Sequence, residues 1–248
     1  MSFHRRCMAC SFLIVGLVIG AINGFGISRI GMPPFIMTFG MFLTARAIAF
    51  LITEGRSVGR LPKAVLAGGR LKILNVPLVF IVAVVVVIIV GFVLSRTVFG
   101  QNVYLIGSNV RAASFSGIKV RRMTFQVYTL AGLLAGLAAF VFMMRLGSAS
   151  PTAGDPLLLE IIGAVVLGGT ALSGGEGGVV RTFTGALLVA MIIKSLELMG
   201  AAFWDQMIVI GILIALGSAM GAWLSRRRTS ESRRTAQKLE EDSEPSSA

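Results

Sequence analysis

The chain has 248 residues, of which 55% are hydrophobic and 14% charged, and its formal net charge is +12. This composition excludes an ordinary water-soluble domain, which carries far more charged side chains. One histidine and two cysteines are too few for a repeated His/Cys metal-ligand pattern, and no phosphate-binding G-x-x-x-x-G-K-[ST] segment occurs. We expect a membrane protein with no metal, no cofactor and no catalytic residue of its own.

Seven apolar segments are long enough, or nearly so, to cross a membrane, for which a helix needs about 20 residues. Prolines lie at or beside their ends, where a missing N–H is tolerated. The predicted fold class is all-α, a polytopic transmembrane helix bundle over residues 1–224, followed by a disordered cytoplasmic tail, 225–248. The fifth segment is short and can also be re-entrant. The segments are 11–28, 35–53, 76–95, 123–144, 157–171, 183–199 and 207–224.

Two clusters of basic residues predict the orientation, because cytoplasmic loops retain Lys and Arg. One cluster lies in 96–122 and the other in 226–238, with four apolar segments between them. Both are therefore expected to face the cytoplasm. Segment 54–75 then falls outside although it holds five basic residues. Either one apolar segment does not cross, or helices are missing ahead of the chain.

Glycines recur four residues apart in three of the apolar segments. In lipid, this spacing lets the backbones of two helices approach closely. The pattern therefore predicts tight helix packing and leaves function open. The glycines are Gly16, Gly20 and Gly24, then Gly132 and Gly136, then Gly217 and Gly221.

The polar segment 99–122 contains the features of a short helix. Asn109 can cap a helix over 110–116, and Gly117 can end it. A short capped helix in a basic cytoplasmic loop is typical of a docking element. A solvated, positively charged linker is the alternative.

The segment 107–118, GSNVRAASFSGI, resembles the cytoplasmic G-x-N-x-x-A-A-x-x-S-G-I loop of the permease subunits of ribose-type ATP-binding cassette importers. Three other blocks resemble the same family in the same order. They are the Asn-Gly and Pro-Pro block at 23–47, RLGSASPTAG at 145–154 and IIGAVVLGGTALSGG at 161–175. Arg111 departs from the family pattern, which commonly has an acidic residue there, and Glu176 departs from its usual basic or small residue.

The resemblance implies a multi-pass inner-membrane permease that moves a ribose-type monosaccharide. It implies a cytoplasmic cassette ATPase subunit, an extracytoplasmic solute-binding protein and a second permease subunit, in a homo- or heterodimer. We expect contact with membrane lipid and no nucleic-acid partner, because the basic residues flank apolar runs. Such permeases usually begin further upstream, so the chain is expected to be N-terminally shortened. Missing helices would also resolve the orientation conflict.

Two groups of site residues follow. The resemblance implies an ATPase-coupling loop made of Asn109, Arg111, Ala112, Ala113, Ser116 and Gly117. Polar groups and helix breaks at membrane depth, which usually face the bundle interior, are candidates for the substrate pathway. The pathway candidates are Asn23, Phe35, Thr38, Arg46, Glu160, Gly168, Gly169 and Thr170. Residues 168–175 are expected to form a close-packed bend. Lys194 and Glu197, three residues apart, are expected to neutralise each other.

Three alternative functions stay open. Permeases for branched-chain amino acids or nucleosides share the same architecture. An ion-coupled secondary transporter would use Glu160 and Glu197 as relay carboxylates. A truncated, inactive remnant is the third alternative.

Overall fold

The computed structural model describes residues 2–59, 72–73, 76–171 and 174–219. The predicted tail 225–248, with its basic cluster, and most of the basic segment 60–75 lie outside the described residues. The chain divides into two compact units, Met1–Pro156 and Leu157–Ala248. Each unit is described by itself.

The first unit begins with a helix that changes its hydrogen-bond pattern before it ends. Helix α1 continues into a π-helix, Gly26–Ile30, and Gly31, at φ 82°, stops it by donating its N–H to the Gly26 carbonyl. Pro34 then starts α2 at the position where proline has no N–H to lose. The helices of this unit are α1 (Ser2–Phe25), α2 (Pro34–Thr53), α3 (Leu78–Arg96), α4 (Val98–Ser108), α5 (Val110–Phe115) and α6 (Val120–Leu146).

Two very short strands precede α3. Strand β1 (Lys72–Ile73) pairs antiparallel with β2 (Val76–Pro77), with Lys72 opposite Pro77. A second antiparallel contact joins Val58 to Ala149, which lies in the segment after α6. Strand structure is otherwise absent from the described residues, so the predicted all-α class is confirmed.

The remaining helices belong to the second unit, apart from the first residues of α7. Helix α7 (Asp155–Leu167) has 13 residues, and at 1.5 Å per residue it reaches about 20 Å. It is too short to cross the hydrocarbon core by itself, as expected for the fifth segment. Helices α8 (Val179–Leu198) and α9 (Phe203–Ala219) follow.

Five helices in the described part are long and apolar enough to cross a membrane. Each of the seven predicted segments overlaps one helix of the described residues, and that all seven cross the membrane stays a prediction. Helices α2 and α3 bury none of their residues. Large apolar surfaces of this kind suit contact with lipid tails.

Helix α4 was not predicted, because 99–108 was treated as part of a polar loop. Thr97 caps this helix, since its hydroxyl oxygen accepts a hydrogen bond from the Gly100 N–H at 3.4 Å. Gly100 lies directly against the Leu94 carbonyl. The close turn between α3 and α4 therefore depends on a glycine and a capping threonine, two signals that the sequence displays.

The predicted glycine packing is confirmed, and it joins α1 to α6. A Cβ atom at Gly20 would lie 2.6 Å from the Tyr128 carbonyl oxygen and 2.8 Å from the Gly132 Cα. At Gly24 it would lie 2.9 Å from the Phe125 oxygen, and Gly16 and Gly136 are in similarly close contact. Backbone meets backbone along this interface, which we call the α1–α6 seam. In the second unit Gly217 packs against Val166, whereas Gly221 lies outside the described residues.

Replacing Gly20 by Ala should lower the free energy of unfolding by about 1–3 kcal/mol, because the added methyl group overpacks the seam. Gly40→Ala is the matched control, since among the described residues no heavy atom other than those of its chain neighbours and its own helix backbone lies within 4 Å of that Cβ position. Both changes gain helix propensity, so their difference isolates the contact. Unfolding in detergent, followed by circular dichroism, measures it. Equal stability of the two variants would contradict the seam.

Candidate coupling helix and solute-pathway residues

Asn109 ends one helix and begins the next. Its N–H donates to the Leu105 carbonyl at 3.0 Å, which closes α4. Its side-chain oxygen accepts a hydrogen bond from the Ala112 N–H at 3.0 Å, which caps α5. The predicted cap is therefore confirmed, and α5 follows α4 directly across Asn109.

The end of α5 is closed by hydrogen bonds around a left-handed glycine. Gly117 has φ 80°, and its N–H donates to the Ser114 carbonyl at 3.1 Å. The Ile118 N–H reaches back to the Ala113 carbonyl at 3.2 Å. The Ser116 hydroxyl donates to the Ala112 carbonyl at 3.1 Å. The short helix with a glycine end, predicted from the sequence, is present.

The two adjacent alanines of α5 have opposite environments. Ala112 is exposed, as are Arg111 and Ser116, whereas Ala113 is only 3% exposed. The methyl group of Ala113 is buried within its own unit, so it supports α5 from the inside, and its assignment to the coupling loop stays a prediction. A bulky residue at Ala113 would disturb the fold, whereas one at Ala112 would project from the surface.

Phe115 is the most exposed large apolar side chain of the described residues, at 92%. It closes α5, and Val110, at the other end of the helix, is also exposed. Neither residue was among those predicted from the sequence. Phe115 could have been found from the sequence, because it is an aromatic residue within a basic, polar segment. Such a segment is not expected to bury a large apolar side chain.

The pathway candidates of the first unit do not converge on one site. Phe35 is exposed and stacks on Phe39, with ring centroids 5.8 Å apart. The Thr38 hydroxyl donates to the Pro34 carbonyl of its own helix at 2.9 Å. The Asn23 side-chain oxygen is buried and has no hydrogen-bond partner among the described residues. Such an atom is costly and unusual in an apolar interface.

Arg46 has a partner that the sequence did not indicate. Its Nη2 lies 2.6 Å from Oδ2 of Asp155, the first residue of α7. Its guanidinium carbon is 5.8 Å from the centroid of the Phe50 ring, one turn further along α2. An Asp-Pro pair ahead of an apolar segment was the available signal for Asp155, but nothing in the sequence connects it to Arg46.

The candidates of the second unit lie on or after α7. Glu160 is half-buried in that helix. The predicted close-packed bend is present where it is described. Gly169 has φ 69°, and the Thr170 hydroxyl lies 3.0 Å from that of Thr182 at the start of α8. A Cβ atom at Gly185 would lie 2.6 Å from the Gly168 nitrogen. Residue 173 lies outside the described residues.

The expected neutralisation of Lys194 by Glu197 is confirmed. The lysine Nζ lies 2.6 Å from Oε2 of the glutamate, one turn along α8. Glu197 is therefore engaged within its own helix, which leaves it poorly suited to relay a proton or cation.

Comparison with known proteins identifies the chain's family. The family described as "Branched-chain amino acid transport system / permease component" matches residues 8–217. The chain belongs to this permease family.

Individual relatives are similar over most of this permease. It is 40% identical to the ribose import permease protein of Bacillus subtilis, over 78% of this chain and 61% of that protein. It is 36% identical to the fructose import permease protein of Rhizobium meliloti, over 86% and 61%. It is 38% identical to the ribose import permease protein of Escherichia coli K12, over 82% and 65%. The permease thus spans less than two thirds of the length of these curated relatives. No solved structure matches it at a significant level.

With five membrane-length helices and this family membership, the permease is a multi-pass protein of the inner membrane.

Replacing Asn109 by Ala should destabilise the first turn of α5 by about 1 kcal/mol, because the Ala112 N–H loses its capping acceptor. Asn109→Asp is the control, since a carboxylate also caps. Hydrogen exchange of the purified permease in detergent, read over 110–116, should rise severalfold in the first variant and stay near wild type in the second. Unchanged exchange in Asn109→Ala would show that the cap contributes nothing to the helix.

Proposed function

We propose that this chain is the membrane-spanning permease subunit of an ATP-binding cassette importer that moves a monosaccharide. The observation that carries the proposal is its identity of 36–40% with ribose and fructose import permeases, across 78–86% of this chain. A further relative, the allose transport system permease protein of Escherichia coli K12, is 31% identical. Sugars are the solutes named by all of these relatives.

The energy for transport comes, in this proposal, from a separate cytoplasmic ATPase subunit. Helix α5 supports the assignment because it is short, capped at both ends and exposed along one side. Its exposed apolar residues, Val110 and Phe115, suit an anchor that fills a hydrophobic pocket of a partner. The neighbouring Arg111, Lys119, Arg121 and Arg122 agree with a cytoplasmic location. Movement of the ATPase would reach α6 through the tight turn at Gly117.

Alternating access requires parts of a membrane protein to change their mutual arrangement around a solute site near the midplane. Irregular backbone supports such movement where it is enclosed by protein or lines a cavity. The permease has it in the π-helix Gly26–Ile30 with the break at Gly31, and in the glycine bend after α7. The extracytoplasmic solute-binding protein and the second permease subunit complete the proposed assembly, on the strength of the family resemblance.

A branched-chain amino acid is the second candidate solute, because the description of the matching family names that substrate class. Ion-coupled transport has less support, since Glu197 is already paired with Lys194.

Phe115→Ala should weaken the association of the permease with its ATPase subunit by about tenfold, because an exposed aromatic anchor is removed. Ala112→Trp should weaken it further by preventing close approach. Association of the detergent-purified subunits, with stimulation of ATP hydrolysis as a second readout, measures both effects.

Val98→Ala is the control, since it truncates an exposed apolar side chain on the preceding helix. Normal insertion of all three variants is expected, because the apolar spans are untouched. Full association and full stimulation with Phe115→Ala and Ala112→Trp would make α5 a positively charged linker and would remove the docking assignment.

A further inference from the structure

Helix α2 is held mainly near its two ends. None of its residues is buried, so its sides pack only loosely on the described part of the first unit. Near its start, the Met37 side chain lies against the π-helix, because a Cβ atom at Gly26 would be 2.8 Å from the methionine sulfur. Near its other end, α2 is joined to the segment that follows α6.

The connection ahead of α2 has the backbone freedom of a hinge. Gly31 ends the π-helix at φ 82°. Among the described residues, no heavy atom beyond its chain neighbours lies within 4 Å of a Cβ atom built at Gly31. Single π-helical turns are frequent at functional sites, and hinges are a few residues at the ends of helices that absorb changes in φ and ψ. Residues 26–33 therefore have the form of a hinge.

Two ties join the far end of α2 to segment 147–155, which follows α6. The Nη2 atom of Arg46 lies 2.6 Å from Oδ2 of Asp155. Beyond the end of α2, Val58 and Ala149 exchange two backbone hydrogen bonds of 2.8 and 3.1 Å. At 1.5 Å per residue, Arg46 lies about 18 Å along the helix from its first residue. We call the ion pair and the pair of backbone hydrogen bonds the clasp.

Segment 147–155 is ordered by hydrogen bonds of its own. The Ala153 N–H donates to the Ser150 carbonyl at 3.2 Å, and the Asp155 N–H donates to the Thr152 carbonyl at 3.1 Å. The hydroxyl groups of Ser150 and Thr152 are 3.0 Å apart. These bonds let the segment move as one piece, so that both ties of the clasp respond together.

The clasp is formed by exposed groups. The side chains of Arg46 and Asp155 are 37% and 32% exposed, and Val58 is 53% exposed. Partly exposed ion pairs and single backbone hydrogen bonds add little net stability, because water replaces the lost partners. The clasp can therefore open and close without unfolding either segment.

The clasp lies on the side of the membrane opposite the basic segment 96–122. Helix α6 begins next to that segment, and its 27 residues are long enough to cross the membrane. Its other end leads into segment 147–155. With segment 96–122 in the cytoplasm, as its charge indicates, the clasp is outside, where the solute enters an importer.

We propose that the clasp is an extracytoplasmic latch. It opens as α2 turns about residues 26–33 to admit the solute, and it closes behind the solute. Alternating access requires a movement of this kind on each side of the membrane. The inference rests on the proposed function, since it places the clasp in the transport cycle. The competing explanation is a permanent tether, for which a covalent bond at the same place would leave transport unchanged.

A disulfide between positions 58 and 149 separates the two explanations. Opposed, hydrogen-bonded residues of antiparallel strands have Cα atoms about 5.5 Å apart, a spacing that fits a disulfide. The variant Val58→Cys with Ala149→Cys is made in a chain whose two cysteines, Cys7 and Cys10, are replaced by Ala. Initial uptake of radiolabelled D-ribose, D-fructose and D-allose is measured in cells that supply the whole transport system. Copper phenanthroline oxidises the thiols, and dithiothreitol reduces the disulfide again.

Oxidation should lower uptake of the transported sugar about tenfold or more, because a locked clasp cannot open to admit it. Dithiothreitol should restore uptake. Ile73→Cys with Val76→Cys is the matched control, since these positions pair between β1 and β2 and a disulfide there joins only neighbouring strands of one hairpin. Its uptake should stay unchanged by oxidation.

A measurement without added cysteines tests whether the two ties open together. Asp155→Asn removes the ion pair, so hydrogen exchange at the N–H groups of Val58 and Ala149 should rise severalfold in the purified permease. Arg46→Asp with Asp155→Arg reverses the pair and should return exchange towards the wild-type rate.

Full uptake by the oxidised clasp variant, an equal loss in the hairpin control, or failure of the disulfide to form overturns the latch and leaves sugar transport intact. Unchanged exchange in Asp155→Asn also overturns it, and this result decides if the reduced cysteine variant does not transport. Failure of the wild-type system to take up any of the three sugars overturns the proposed function instead. The exchange measurement needs no solute and then decides separately whether the ties open together.

Discussion

Backbone contact between α1 and α6 is the constraint on which the first unit depends. Gly16, Gly20 and Gly24 face Gly132 and Gly136 and the adjacent carbonyls so closely that no side chain fits between them. Lipid tails give apolar helices no hydrophobic reason to associate, so close van der Waals contact must supply the attraction. The seam then positions what is attached to both helices. Helix α1 leads through the π-helix and Gly31 to α2, and α6 carries α5 at its start.

Charge is scarce among the membrane helices, and its use differs between the two units. Lys194 and Glu197 pair one turn apart on a single helix, which neutralises both and leaves no free charge for a solute. Arg46 and Asp155 belong to different helices, and their pair stays partly exposed beside the ring of Phe50. An ion pair that joins separate segments has a cost in apolar surroundings unless it stabilises a particular arrangement or meets a ligand. The Arg46–Asp155 pair therefore holds the first residue of α7 against α2.

Much of the fold could be predicted from local signals. Runs of apolar residues gave the membrane helices, Asn109 and Gly117 gave the ends of α5, and glycines four residues apart gave the seam. Helix α4 was missed because its few polar residues suggested a loop, although Thr97 and Gly100 mark its start. The site was harder to predict. Burial of Ala113 and exposure of Phe115 depend on which side of a six-residue helix meets its neighbours. The pairing of Arg46 with Asp155 depends on contacts between residues far apart in the chain, which no local pattern records.

The central claim, that a partner ATPase drives this permease, is tested most directly by changing the energy source of reconstituted vesicles. The vesicles hold the permease system with its ATPase subunit, and the solute-binding protein is added on the opposite side from ATP. If the ATPase drives transport, D-ribose, D-fructose or D-allose accumulates only when ATP is present, and ionophores that collapse proton and sodium gradients leave the rate unchanged. Accumulation that persists without ATP and stops with the ionophores would contradict it and would identify an ion-coupled transporter.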